Sequence, residues 1–172
     1  MKNAGVSDGD LAHCLKVADK AVEIAQRTGV RLDFELVVRG ALFHDLGKAK
    51  SHEMDHGKIG AELGIALGLP KALTDIMEKH IRGGMTEAEA KELKLPIKDY
   101  CLNSIEEKIV IYADRMVDII TDGVVQINSE LEAEDRFEEF IRDVPKYHKN
   151  QVTYERYLGY HREIQSLMAM NV

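Results

Sequence analysis

The sequence predicts an all-α protein, a single-domain helical bundle. Apolar residues recur at helical spacing from end to end, capping residues and Gly or Pro stops punctuate the chain at helix lengths, and no sustained strand-like alternation interrupts them. At 172 residues the chain suits one domain, since domains commonly hold about 100–200 residues. The first helix is expected from a cap at Asp10 to Thr28, with Gly29 as its stop. Asp33 caps the next, which carries Leu36, Val37, Ala41, Leu42 and Phe43. Lys48–Met54 is polar and reads as a loop, after which Asp55 opens a helix to Leu67.

Pro70 marks the start of a fourth helix that ends at Gly83-Gly84. Thr86 with Glu89 is a capping box for a short helix that must finish before Pro96. Ser104 with Glu107 repeats the pattern and begins a helix through Ile120. Val124–Ile127 has room only for a brief extended piece. A helix follows over Glu130–Arg142, Pro145 breaks it, and a last helix covers Gln151–Met168. The glycines at 57, 60, 64 and 68 read as close packing of their helix against its neighbours.

Composition narrows the function. The hydrophobic fraction is 45% and the charged fraction 31%, ordinary for a globular protein. A net charge of −7 argues against general affinity for nucleic-acid backbones or anionic membranes. It leaves room for an anionic substrate, because a divalent cation dominates its local field. The two cysteines, Cys14 and Cys101, make neither a disulfide framework nor a Cys-rich metal site. The amino terminus has no apolar signal segment, and no run approaches the roughly 18 apolar residues of a membrane span, so a cytoplasmic location is expected.

The informative residues are polar ones on apolar helix faces. His44 and Asp45 end the run Ala41-Leu42-Phe43-His44-Asp45-Leu46-Gly47-Lys48. His13 shares a face with Val17, Ala21 and Ile24, and His56 with Ile59, Gly60 and Leu63. His80 follows Leu73, Ile76 and Met77 on one stripe, and Asp114 lies between Val110 and Val117 on another. A carboxylate in such a stripe is costly unless paired, hydrogen-bonded or bound to a cation. One histidine on an apolar face is more often a hydrogen-bonded core residue than a ligand. His161 passes the same test beside Tyr157, Leu158 and Ile164, and with no acidic partner it reads as structural.

The conjunction of the other six residues points to metal. His13, His44, Asp45 and Asp114 would leave positions open on one six-coordinate ion; with His56 and His80 added, Asp45 could bridge two. Imidazole and carboxylate without thiolate suit Mn, Fe, Co, Ni or Zn, with Mg admissible.

The series His13, His44-Asp45, Asp114 resembles the HD-domain metal-dependent phosphohydrolase superfamily. The stretch Leu42–Lys48 is similar to the core motif of its HDIG subset, with Leu46 where isoleucine is more usual. His56, Gly60-Ala61 and His80 resemble the extra histidines of two-metal members. The similarity covers residues 10–120 and leaves the helices at 130–170 as an extension, a lid or subunit contact.

The resemblance implies a helical bundle around the metal and hydrolysis of a phosphoester, in a nucleotide or cyclic nucleotide, by attack of metal-bound water. It implies that His13, His44, Asp45 and Asp114 hold one ion, and that His56 and His80 hold a second, bridged by Asp45. Asp45 would also orient the nucleophile, and Lys48 matches a lysine that meets the phosphate in some relatives. Arg82 and Arg115, next to His80 and Asp114, are candidates for gripping phosphate, although each also suits a surface ion pair. His52, in the loop after the pair, reads as solvent-exposed, and the general acid is left open.

The expected partner is a small phosphorylated substrate, with a homo-oligomer compatible. Tyr112, Tyr147, Tyr154, Tyr157 and Tyr160 either stack a base or simply pack. The alternatives to a hydrolase are a di-iron oxygenase of the same fold and a metal-binding regulatory module without catalysis.

Overall fold

Ten α-helices dominate residues 1–171, which the computed structural model describes, and no strand occurs among them. They are α1 (Asp8–Thr28), α2 (Phe34–Phe43), α3 (His56–Ala66), α4 (Lys71–Lys79), α5 (Glu87–Glu92), α6 (Ile105–Thr121), α7 (Glu130–Asp135), α8 (Phe137–Asp143), α9 (Pro145–His148) and α10 (Gln151–Met170). Short 3-10 turns at Leu46–Ala49 and Ile81–Gly83 follow α2 and α4. No helix among the described residues is long and apolar enough to cross a membrane.

Local chemistry sets the boundaries. Asp33 caps α2 by accepting the Leu36 N–H at 2.9 Å, and both capping boxes form, Thr86 with Glu89 and Ser104 with Glu107. The first helix begins earlier than expected. Ser7 caps it and accepts the Asp10 N–H at 3.1 Å, so Asp10 is the third helical residue rather than the cap.

The stretch Glu130–Arg142 is two helices, because the chain leaves helical geometry at Arg136. That bend lets Ala133 of α7 reach the same core as Phe137, Phe140 and Ile141 of α8. Pro145 both ends the preceding helix and starts α9, where its missing N–H costs nothing. Val124–Ile127 is irregular, with Val125 and Ile127 packed on the core.

The main core lies between α1, α2 and α6, and α8 and α10 cover it on one side. Val17, Ala21 and Ile24 of α1 meet Val37 and Ala41 of α2 and Val110, Ala113 and Val117 of α6 there. A smaller cluster of Leu46, Ala61, Leu73 and Met77 binds α3 and α4 to the turn after α2.

That smaller cluster depends on close backbone approach. A Cβ at Gly47 would lie 1.8 Å from the His56 carbonyl oxygen and 2.7 Å from the Gly60 nitrogen. Gly47 thus lets the turn that follows His44 and Asp45 lie against the first turn of α3. By contrast, nothing lies within 4 Å of a Cβ at Gly159, an exposed position inside α10.

Thermal unfolding monitored by circular dichroism checks this contrast. Gly47→Ala is expected to destabilise the fold by about 3 kcal/mol or more, since backbone must move. Gly159→Ala is expected to stabilise it by about 0.5–1 kcal/mol, the helical Gly-to-Ala difference. Equal effects of the two substitutions would contradict the packing described.

Candidate metal centre

Five separate elements bring the polar residues together. His13 comes from the second turn of α1, and His44 and Asp45 from the end of α2. His56 opens α3, His80 follows α4, and Asp114 projects from the middle of α6. Helix ends supply most of the donors, where a side chain can turn back into the cavity without interrupting an apolar stripe.

Asp45 is the centre of the arrangement, its side chain 3% exposed. Its Oδ2 lies 3.3 Å from His44 Nε2 and 4.0 Å from His13 Nε2, and its Oδ1 lies 3.3 Å from both His56 Nε2 and His80 Nε2. One oxygen therefore faces one pair of imidazoles and the other faces the second pair. Asp114 Oδ1 completes the first group, 2.8 Å from His13 Nε2 and 3.5 Å from His44 Nε2. Separations near 3 Å are what a shared cation with bonds of roughly 2.0–2.2 Å imposes on neighbouring ligand atoms.

Three of the histidines have their tautomer set from behind. The Nδ1–H of His44 donates to the Ala41 carbonyl at 2.7 Å, that of His56 to Glu53 at 2.6 Å, and that of His80 to Met77 at 2.7 Å. Each bond reaches back three residues. A histidine held this way presents its Nε2 lone pair as a metal ligand. The consequence is visible twice: His44 Nε2 is buried with no hydrogen-bond partner, and His56 Nε2 lies only 2.9 Å from His80 Nε2. With both Nδ1 atoms protonated, two lone pairs face each other, an arrangement a cation relieves. These observations show that the residues fit divalent metal.

The electrostatics agree. Burial alone would raise the Asp45 carboxyl, but His44 beside it and contacts with His56 and His80 hold it well below the usual carboxylate range. Asp114 is likewise held down, against its burial, by His44 and His13. Burial works against a protonated His44, yet Asp45 and Asp114 raise its pKa well above the ordinary value. Cys14 does not compete as a ligand, because burial pushes its thiol up to about 11.

A cavity of about 220 Å³ opens beside these residues. His13, Asp45, His56, His80 and Asp114 line it, as do Lys48, Arg82 and Arg115. Lys48 Nζ sits 2.6 Å from Asp45 Oδ2. Arg115 is held in place by Asp118 at 2.9 Å and the Tyr157 hydroxyl at 3.2 Å. His52 lies outside, exposed and 3.2 Å from Asp10.

Three further polar lining residues escaped the sequence reading, Asp118, Lys149 and Thr153, and Tyr147, one of the tyrosines offered for stacking or packing, lines the cavity with them. Asp118 was accessible to it, four residues after Asp114 on the same face of α6. Burial and the neighbouring Asp114 charge push its carboxyl up to about 6. Lys149 and Thr153 carry no such signal, since the α9–α10 junction brings them to the cavity. His161 is structural: its Nδ1 lies 2.8 Å from the Tyr112 hydroxyl and its ring stacks on Phe137.

A cation that takes His44 Nε2 must displace the proton that Asp45 and Asp114 favour there. Metal binding is therefore expected to release protons and to tighten as pH rises from about 6 to about 8. Calorimetric titration with Mn²⁺ in buffers of different ionisation enthalpy measures both effects. Binding independent of pH and buffer would contradict the assignment.

The HD domain family matches residues 10–118. The chain is 43% identical over 114 residues to an uncharacterized protein of Methanocaldococcus jannaschii, covering 64% of this chain and 68% of that one. It is 37% identical over 117 residues to the tRNA (cytidine(56)-2'-O)-methyltransferase of Picrophilus torridus. That alignment takes in 68% of this chain but only 34% of the relative. A ribonuclease Y, from Acidothermus cellulolyticus, is 44% identical over 66 residues, 34% of this chain and 13% of that one. Among solved structures, the HD domain of the L. monocytogenes phosphodiesterase PgpH, in complex with cyclic-di-AMP, superimposes with a TM-score of 0.61. The overlap spans 95% of this chain and 92% of that one at 17% sequence identity, a likeness of fold. With the family pattern spanning the helices that carry His13 to Asp114, the chain belongs to the HD-domain family.

Proposed function

We propose that the protein is a metal-dependent phosphohydrolase that cleaves a phosphoester bond of a nucleotide or cyclic nucleotide, as a phosphomonoesterase or a phosphodiesterase. One observation carries this reading: two pairs of imidazole Nε2 atoms address opposite oxygens of one buried carboxylate, Asp45, beside a cavity lined with cationic side chains. Membership of the HD-domain family supports it. The solved PgpH domain holds a nucleotide, cyclic-di-AMP, and two relatives bear the names of RNA enzymes, which brings RNA-derived phosphoesters into consideration.

In this reading His13, His44, Asp45 and Asp114 would hold one divalent ion and His56, His80 and Asp45 a second. Such ions neutralise charge on phosphoryl oxygens and make a water nucleophilic near neutral pH. Asp45 spans both ligand groups and so fixes their relative position, and it would also orient the attacking water. Lys48 stays cationic, because Asp45 outweighs the burial that works against its charge. Its ammonium is placed to meet negative charge developing on the phosphoryl group. Arg115, pinned by Asp118 and Tyr157, presents a fixed positive wall, and Arg82 adds a second. The core at about residues 10–120 and the C-terminal helices work as one unit, the latter closing the cavity through Tyr147 and Thr153.

Chromatographic analysis of the products formed from a panel of nucleoside monophosphates, cyclic nucleotides and dinucleotides, with Mn, Co, Ni, Fe, Zn or Mg, tests the proposal, a monoester yielding free phosphate and a diester a monophosphate. Metal-dependent hydrolysis is expected, and Lys48→Gln is expected to lower kcat/KM about 10²-fold with metal content unchanged. Hydrolysis of no substrate, with oxygen uptake by the iron-loaded protein, would replace hydrolysis by the oxygenase alternative.

A further inference from the structure

The wall of the cavity formed by the C-terminal helices has a chemistry of its own. Thr153, in the first turn of α10, is 1% exposed, lines the cavity, and its Oγ1 has no hydrogen-bond partner. Arg82 Nε and Arg115 Nε, on residues lining the same cavity, are also buried and without a partner. Buried donors are almost always satisfied, so each of these calls for an acceptor at the cavity wall, a water or an anion. The charges point the same way. Lys48 is paired with Asp45 and Arg115 with Asp118, whereas Arg82 and Lys149 meet no carboxylate among the described residues.

The backbone holds these two cations at some cost. Among the described residues three other than glycine have positive φ, and two of them are Arg82 (53°) and Lys149 (66°). Lys149 is the centre of a γ-turn closed by the Asn150 N–H on the His148 carbonyl at 2.8 Å, a rare and strained conformation for a lysine. The strained turn at Arg82 is held from α10. Arg156 donates to the Arg82 carbonyl at 3.0 Å, and the Tyr160 hydroxyl donates to the Gly83 carbonyl at 2.8 Å.

We propose that Arg82, Lys149 and Thr153 form a subsite for a second, non-reacting phosphate group of the substrate, an assignment that rests on the phosphohydrolase reading of the adjoining centre. Substrates that carry two phosphates are then preferred over their singly phosphorylated counterparts. Lys149 and Thr153 lie beyond residues 10–118, so the C-terminal helices add two of the three subsite residues to Arg82 of the part shared with the HD domain family. The N-terminal end of α10 contributes in the same sense, its partial positive charge favouring an anion.

Two measurements on the full chain test the subsite separately from the hydrolase reading. The first is a titration of chelator-treated, desalted protein with inorganic phosphate, followed by calorimetry or phosphorus NMR. Wild type is expected to bind phosphate without metal, and Arg82→Gln, Lys149→Gly and Thr153→Val each to weaken binding about tenfold. Lys149→Gly suits the positive φ and Thr153→Val keeps the shape, so folding is preserved in at least these two.

The second compares kcat/KM for a nucleoside 3′,5′-bisphosphate and the matching 5′-monophosphate in metal-loaded protein. A preference of about 10- to 100-fold for the bisphosphate is expected in wild type, falling towards unity in the variants. Phosphate binding lost in the variants, with no phosphoester hydrolysed, would support the subsite and overturn the hydrolase reading. Hydrolysis without preference, together with equal phosphate binding by wild type and variants, would overturn the subsite alone.

Discussion

A carboxylate placed in a protein interior demands positive charge, and in this molecule that demand falls on Asp45. Its side chain is almost fully buried, yet its pKa is held down rather than raised, because imidazoles approach both of its oxygens. Everything around it follows from satisfying that charge. Backbone carbonyls of Ala41, Glu53 and Met77 orient three histidines, and Gly47 lets the turn after α2 lie against α3 so that His56 can reach. Remove the carboxylate and the four imidazoles have no common target.

The scaffold builds the two walls of the cavity from different elements. Donors sit on α1, α2, α3 and α6 or just after α4, each anchored in an apolar cluster. This precision suits a centre in which separations of about 3 Å have to be kept. The opposite wall comes from the α9–α10 junction and from a strained turn that α10 clasps through Arg156 and Tyr160. The pattern shared with the HD domain family ends at residue 118, so Lys149 and Thr153 of this wall lie outside it and Arg82 inside it.

Much of this was legible in the sequence because helices advertise themselves. Capping boxes at Thr86 and Ser104 and the stop at Gly29 marked real boundaries. The meeting of His13, His44, Asp45, His56, His80 and Asp114 could be anticipated because polar donors on apolar faces need a reason to be there. The same test marked His161, which instead pairs with Tyr112 and stacks on Phe137, since an aromatic partner leaves no trace in spacing. Two things were hidden. The break at Arg136 depends on which core each half reaches, and Lys149 and Thr153 reach the cavity only through the way α10 docks. Tertiary placement of this kind has no local periodicity to reveal it.

The central claim is that this cluster of imidazoles and carboxylates holds divalent metal around Asp45. Elemental analysis of the purified protein, reconstituted with Mn or Fe and desalted, tests it most directly. The account predicts about two equivalents in the wild type and loss of both in folded Asp45→Ala, because that carboxylate serves both ligand groups. Wild-type protein that retains no metal, or an Asp45→Ala variant that retains the full amount, would contradict it.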